Sequence, residues 1–303
     1  MTGSERPVSA IAIKTEQLQV IYPNGVQALR STNLEIERGS FVVLLGSSGA
    51  GKSSLLRALN GLVPAGAGRV LAMFESGQQN SSKNRPGNLG PGVAGMPLDI
   101  SPSLRLRQHR SRTGMVFQQH HLIGRLTVLD NVLMGRLGHH RGWRALMPST
   151  RAEKIMALRA IDRVGLLERA LQRADQLSGG QQQRVGVART LVQSPRLLLA
   201  DEPVASLDPA TALDLLGLMH GICKSDGLTA VVSLHQVEFA RQFADRIIGL
   251  HQGQVVFDGQ PQHLTEAVVQ RLYRPLASAD TPATSGAESG KAVPSALHEF
   301  VTA

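Results

Sequence analysis

Five apolar residues, Phe41-Val-Val-Leu-Leu45, lead without a break into Gly46-Ser-Ser-Gly-Ala-Gly-Lys52-Ser53 and then into Ser54-Leu-Leu-Arg-Ala-Leu-Asn60. The apolar run has the length and composition of a strand covered on both faces, and the last segment reads as helix. Between them stands the pattern G-x-x-x-x-G-K-[ST], in the strand–loop–helix setting that gives it meaning. Glycines let the backbone curl so that several N–H groups point at phosphate oxygens, and the helix start adds its partial positive charge. Lys52 has the reach for β- and γ-phosphates, and the Ser53 hydroxyl suits Mg²⁺. Such a segment places the loop at the carboxyl end of a strand in an α/β sheet.

The remaining patterning agrees. Residues 11–21 alternate apolar and polar, Asn24-Gly25 marks a turn, and residues 33–37 alternate again. Gly114-Met-Val-Phe117 is a short strand candidate. Residues 128–137 and 152–164 have helical spacing. After Gly179-Gly180, the positions Val185, Ala188, Leu191 and Val192 share a helical face. Residues 197–200 form a second buried strand, 211–219 a helix, 229–233 a strand and 237–243 a helix, followed by two strands around Gln252-Gly253. Alternating strands and helices define an α/β domain with a largely parallel sheet. Residues 75–103, rich in Gly, Pro, Asn and Ser, read as an irregular surface insertion, and the polar tail from about 278 as disordered. A basic cluster, Arg105, Arg107, His109, Arg110 and Arg112, follows the insertion; its plain interpretation is a solvated face or a contact with anionic lipid.

Two further motifs carry chemistry. The strand 197–200 ends in Asp201-Glu202, and carboxylates at that end of a nucleotide-binding sheet lie beside the phosphates. Asp201 suits Mg²⁺, and Glu202 suits a general base for water. Leu177-Ser-Gly-Gly-Gln181 opens a helix and so makes a second anion-binding helix start.

Composition limits the partners. Among 303 residues, 32 Lys and Arg stand against 23 Asp and Glu, a net charge of +9, which admits nucleic acid, anionic membrane or phosphate-bearing ligands. Aromatic residues at 3% leave no base-stacking platform, so no nucleic acid is expected. One cysteine, Cys223, excludes an internal disulfide and a multi-thiolate zinc site. No stretch has the length of a membrane span, and the start reads as no secretory signal.

Residues 46–53, Gln118, residues 177–181, Asp201-Glu202, Ser206-Leu-Asp208 and His235 occur in the order and spacing of an ATP-binding cassette ATPase, and the chain resembles that family over about 13–265. The resemblance implies a P-loop cassette with a RecA-like core, an antiparallel β subdomain and an α-helical signature subdomain at about 119–193. Residues 1–12 are then an N-terminal tail and 266–303 a C-terminal extension. It implies that ATP is held by Tyr22 on adenine and by Gly46, Ser47, Ser48, Gly49, Ala50, Gly51, Lys52, Ser53 and Ser54. From a second copy of the chain, Ser178, Gly180 and Gln181 complete the site, Gly179 belongs to the same nucleotide-binding motif, and Asp208 communicates across the dimer. Mg²⁺ falls to Ser53, Gln118 and Asp201, and catalysis to Glu202, His235 and Gln118.

Finer segments, Ala200-Asp-Glu-Pro-Val-Ala-Ser-Leu-Asp-Pro209 and Ser233-Leu-His-Gln236 above all, resemble the ATP-binding subunits of bacterial phosphonate importers. That implies a head-to-tail homodimer, integral-membrane permease subunits, an indirectly linked periplasmic solute-binding protein, and a peripheral position on the cytoplasmic face of the inner membrane. Residues 120–137 are the expected seat of a short permease helix. Another small polar solute, and a cassette acting on nucleic acid, are the alternatives.

Overall fold

The computed structural model describes residues 11–73, 98–100, 103–119, 121–140 and 147–274. The chain opens with an antiparallel hairpin of β1 (Ile11–Ile21) and β2 (Gln27–Glu37), followed by β3 (Phe41–Leu45) and α1 (Lys52–Leu59). β4 (Ala67–Ala72) and β5 (Leu98–Asp99) join the hairpin in an antiparallel sheet of order β2-β1-β4-β5. Then come α2 (Ser103–Arg112), β6 (Thr113–Val116), α3 (Val128–Leu133), α4 (Arg151–Arg163) and α5 (Gly179–Leu191). β7 (Leu197–Asp201), α6 (Pro209–Asp226), β8 (Thr229–Ser233) and α7 (Val237–Phe243) alternate as expected. β9 (Arg246–His251), β10 (Gln254–Gly259) and α8 (Glu266–Tyr273) close the described structure.

The second sheet has order β10-β9-β3-β8-β7-β6 and is parallel except for the β9–β10 hairpin. Period-2 alternation divides its side chains between two cores. Phe41, Val43, Leu45, Leu198, Ala200, Ala230 and Val232 face the core shared with α3–α6. Val42, Leu44, Leu197, Leu199 and Val231 face the core shared with α1 and the antiparallel sheet. The central strands are therefore fully buried, which is why they read as unbroken apolar runs. On α1, Leu55, Leu56 and Leu59 are buried, and each contributes roughly 1.5–3 kcal/mol relative to exposure.

Several elements differ from the sequence expectations. The helix expected over 128–137 is α only to Leu133 and tightens into a 3-10 turn over Met134–His139. There Gly135 packs so closely that a Cβ would lie 2.2 Å from the Arg189 carbonyl oxygen. The helix expected over 211–219 is longer, Pro209–Asp226, capped by the Asp208 side chain and ended by Gly227 at φ +62°.

The basic cluster is α2, and it is not simply a solvated face. His109 is fully buried with its Nε2 2.7 Å from the Leu59 carbonyl oxygen, and Arg110 donates to the carbonyls of Asn60 and Gly61. These bonds tie α2 to the end of α1. Arg107 donates to the His140 carbonyl.

Of the expected insertion at 75–103, residues 75–97 and 101–102 lie outside the described residues, as do residues 1–10 of the N-terminal tail and the polar tail from 278. The expected C-terminal extension begins as α8, whose Leu272 is fully buried in the larger core, so packed structure continues past residue 265.

Candidate functional site

Parallel pairing brings four strand ends to one edge of the sheet. Leu44 and Asp201 both lie opposite Ser233, and Val116 opposite Ala200. Gly46 follows β3, Asp201 ends β7 with Glu202 just after it, His235 follows β8, and Gln118 stands exposed just beyond β6.

The loop after β3 depends on its glycines. Gly46, Gly49 and Gly51 have φ of +148°, +79° and +107°. A Cβ would lie 2.2 Å from the Leu250 carbonyl oxygen at Gly46 and 2.6 Å from that of Ala28 at Gly51. Only glycine fits both the backbone angle and the space. Lys52 opens α1, is 4% exposed, and donates to the carbonyls of Gly46 (2.8 Å) and Ser47 (3.1 Å). Its ammonium lies 3.8 Å from Glu202 Oε1. Burial lowers the Lys52 pKa, while Glu202 and Asp201 act against that shift.

A chain of polar contacts runs on from α1. Ser53 Oγ donates to Asp201 Oδ1 at 2.8 Å, and Ser233 Oγ donates to the same oxygen at 3.1 Å. The backbone N–H of Glu202 donates to Ser233 Oγ at 2.8 Å. Glu202 sits at φ +49°, the left-handed region, at a cost of about 1–3 kcal/mol that such sites characteristically carry. His235 Nε2 is 2.6 Å from Glu202 Oε1. Tyr22, half-buried beside α1, places its hydroxyl 3.1 Å from Ser54 Oγ.

The structure thus gathers residues 46–54, Asp201, Glu202, His235 and Tyr22. The second helix start forms a separate group. Ser178 caps α5 by a reciprocal box with Gln181, and both Ser178 and Gly179 are exposed. Gly180 packs on Thr211, where a Cβ would lie 2.6 Å from the methyl carbon. Asp208 caps α6 by accepting from the Thr211 N–H at 3.0 Å, and hydrogen bonds from Thr211 hold its carboxyl below the usual range. One exposed edge therefore carries residues 178–180 and Asp208 together. Ser233, quoted from the sequence only within a family segment, joins the site as a residue given no role there; its signal is a hydroxyl at the carboxyl end of the apolar run Ala230-Val-Val232.

A glycine cradle, a buried lysine and a strand-end acid pair define a P-loop nucleotide-binding protein. The sequence model of the ABC transporter family matches residues 29–205. The phosphonates import ATP-binding protein PhnC 2 of Cupriavidus metallidurans is 54% identical over 88% of this chain and 88% of its own length. The phosphite import ATP-binding protein PxtA of Stutzerimonas stutzeri is 50% identical over 93% of this chain and 94% of its own. Among solved structures, a dimeric post-hydrolysis state of the ATP-binding cassette MJ0796 with ADP and Pi superimposes with TM-score 0.66. It is 31% identical, covering 82% of this chain and 98% of that one. The chain belongs to the ABC transporter family, as an ATP-binding cassette.

Proposed function

We propose that this chain is the ATP-binding subunit of an importer for phosphonates and related phosphorus oxyanions, hydrolysing ATP to drive uptake. The observation that carries the ATPase chemistry is the continuous contact from Ser53 through Asp201 and Ser233 to Glu202 and His235. The cargo class rests on relatives about 50% identical over most of both chains.

The geometry supports the following roles. The backbone N–H groups of residues 46–54 receive the phosphates at the start of α1. Lys52, held by two loop carbonyls, exchanges those bonds for β- and γ-phosphate oxygens. The Tyr22 ring stacks on adenine. Ser53, Asp201 and Gln118 offer the oxygen donors that Mg²⁺ prefers and would hold the ion, which would supply charge neutralisation at the phosphates. Glu202 accepts the proton of the attacking water, and Gln118 orients that water. His235 leaves Glu202 to contact the γ-phosphate.

Ser178, Gly179, Gly180, Gln181 and Asp208 lie on one exposed edge, suited to closing over the nucleotide of a second copy held head to tail. Two helix starts facing one γ-phosphate hold such a homodimer only while that phosphate is present, so hydrolysis releases it.

Among the described residues no helix is long and apolar enough to cross a membrane. Permease subunits supply the pore, and the chain acts as a peripheral subunit on the cytoplasmic face of the inner membrane. Ile123 and Leu137, 37% and 46% exposed, lie on the segment expected to receive a permease helix; His120 of that segment lies outside the described residues. A periplasmic binding protein delivers the solute. Deleting the gene should abolish growth on a phosphonate as sole phosphorus source and spare growth on inorganic phosphate. Unchanged phosphonate growth overturns the cargo class, and a defect confined to phosphite narrows it.

A further inference from the structure

The hydroxyl of Tyr273, on the last described helix, donates a 2.8 Å hydrogen bond to the backbone carbonyl of His235. Burial raises its pKa, the Gly46 backbone acts against that shift, and the Glu238 carboxylate adds to it. The phenol therefore holds the backbone of the histidine that meets Glu202.

Its place is firmly set. The neighbouring Leu272 is fully buried and fills the space left by Gly249, where a Cβ would lie 2.6 Å from Leu272 Cδ2. Gly249 pairs with Leu45, the residue before Gly46, so this seat lies at the end of β3. On the other side of His235, Arg241 of α7 donates to the Leu264 carbonyl at 2.9 Å. The segment 264–273 thus clasps the chain just before α7 and within it. The His235 side chain is 36% exposed and makes its 2.6 Å contact with Glu202 from the turn between β8 and α7, where the Leu234 N–H donates to the Leu44 carbonyl at 3.0 Å.

We infer that Tyr273 is a positioning residue for ATP hydrolysis: its hydroxyl fixes the His235 backbone and thereby aims the imidazole at the reacting phosphate. This rests on the assignment of His235 to the γ-phosphate. Misplacement of a catalytic group by about 1 Å costs up to about a hundredfold in rate. Loss of one of several anchors falls below that limit.

The test measures steady-state ATP hydrolysis by the full chain. Tyr273→Phe keeps the ring and should lower kcat about three- to tenfold with KM for ATP within about twofold. Val269→Ala loosens the packing of the same helix without touching the hydroxyl and should leave kcat unchanged. His235→Ala should lose most turnover. Unchanged kcat in Tyr273→Phe, or an equal fall in Val269→Ala, overturns the positioning role while leaving His235 in place. Full turnover in His235→Ala overturns the assignment of His235, and the role of Tyr273 with it.

Discussion

Ser53 Oγ and Asp201 Oδ1 meet at 2.8 Å across 148 residues of sequence, joining the start of α1 to the end of β7. The pair presents two hard oxygen donors at the mouth of the phosphate loop, and Ser233 holds the same carboxylate oxygen from the next strand. In Ser53→Ala, Asp201 keeps its Ser233 bond but the hydroxyl donor is gone. A hydrogen bond to a charged group is worth about 1.5–3 kcal/mol, so affinity for ATP measured with Mg²⁺ should fall about tenfold or more. Affinity measured in EDTA should not change. An equal loss in both titrations would place Ser53 in the loop's folding rather than at the metal.

His109 predicts a pH dependence of folding remote from the phosphate edge. Burial lowers its pKa to about 4, from 6.5, so the folded chain holds the imidazole neutral. Its contribution to stability is complete above pH 6.5 and is lost as the pH falls towards 4, because the unfolded chain takes up the proton first. At pH 5 the loss is about 2 kcal/mol relative to pH 7.5. His109→Gln keeps a donor for the Leu59 carbonyl and does not titrate. Urea unfolding of both chains at pH 7.5, 6 and 5 should show their stabilities converging with acid. A constant difference across that range contradicts the buried neutral state.

The central strands and the phosphate loop were legible because each carries its own local signal: an apolar run, three glycines, a lysine and an acid pair. What sequence left dark depends on tertiary contact. β4, Ala67-Gly-Arg-Val-Leu-Ala72, is half exposed and takes its strand form from β1, which it pairs over Ile13–Glu16 and Gln19. The helix of α6 runs on through Gly221, past the end expected at 219, because Leu215, Leu216, Met219 and Ile222 bury its apolar face. α2 looks in sequence like free surface charge, and only the fold brings His109 under the end of α1. Tyr273 lies outside every motif, in a short apolar segment before a polar tail. Its partner, a backbone carbonyl, leaves no trace in sequence at all.

The chain's basic balance does not mark its site. On the proposed reading, phosphate is met there by backbone N–H groups and Lys52, while much of the arginine serves elsewhere. Arg163 pairs with Asp226, Arg246 with Asp258, and Arg69 with Glu16.

On the proposed mechanism Glu202, just past the end of β7 and 2.6 Å from His235, accepts the proton of the water that cleaves ATP. Glu202→Gln keeps the side chain's size and removes its basicity. ATP turnover by this variant should fall at least a hundredfold, within the range expected for a lost general base. ATP affinity should stay within a few-fold, and the chain should elute as an ATP-dependent dimer in gel filtration. Turnover in Glu202→Gln equal to that of the unaltered chain would contradict the assignment of the base.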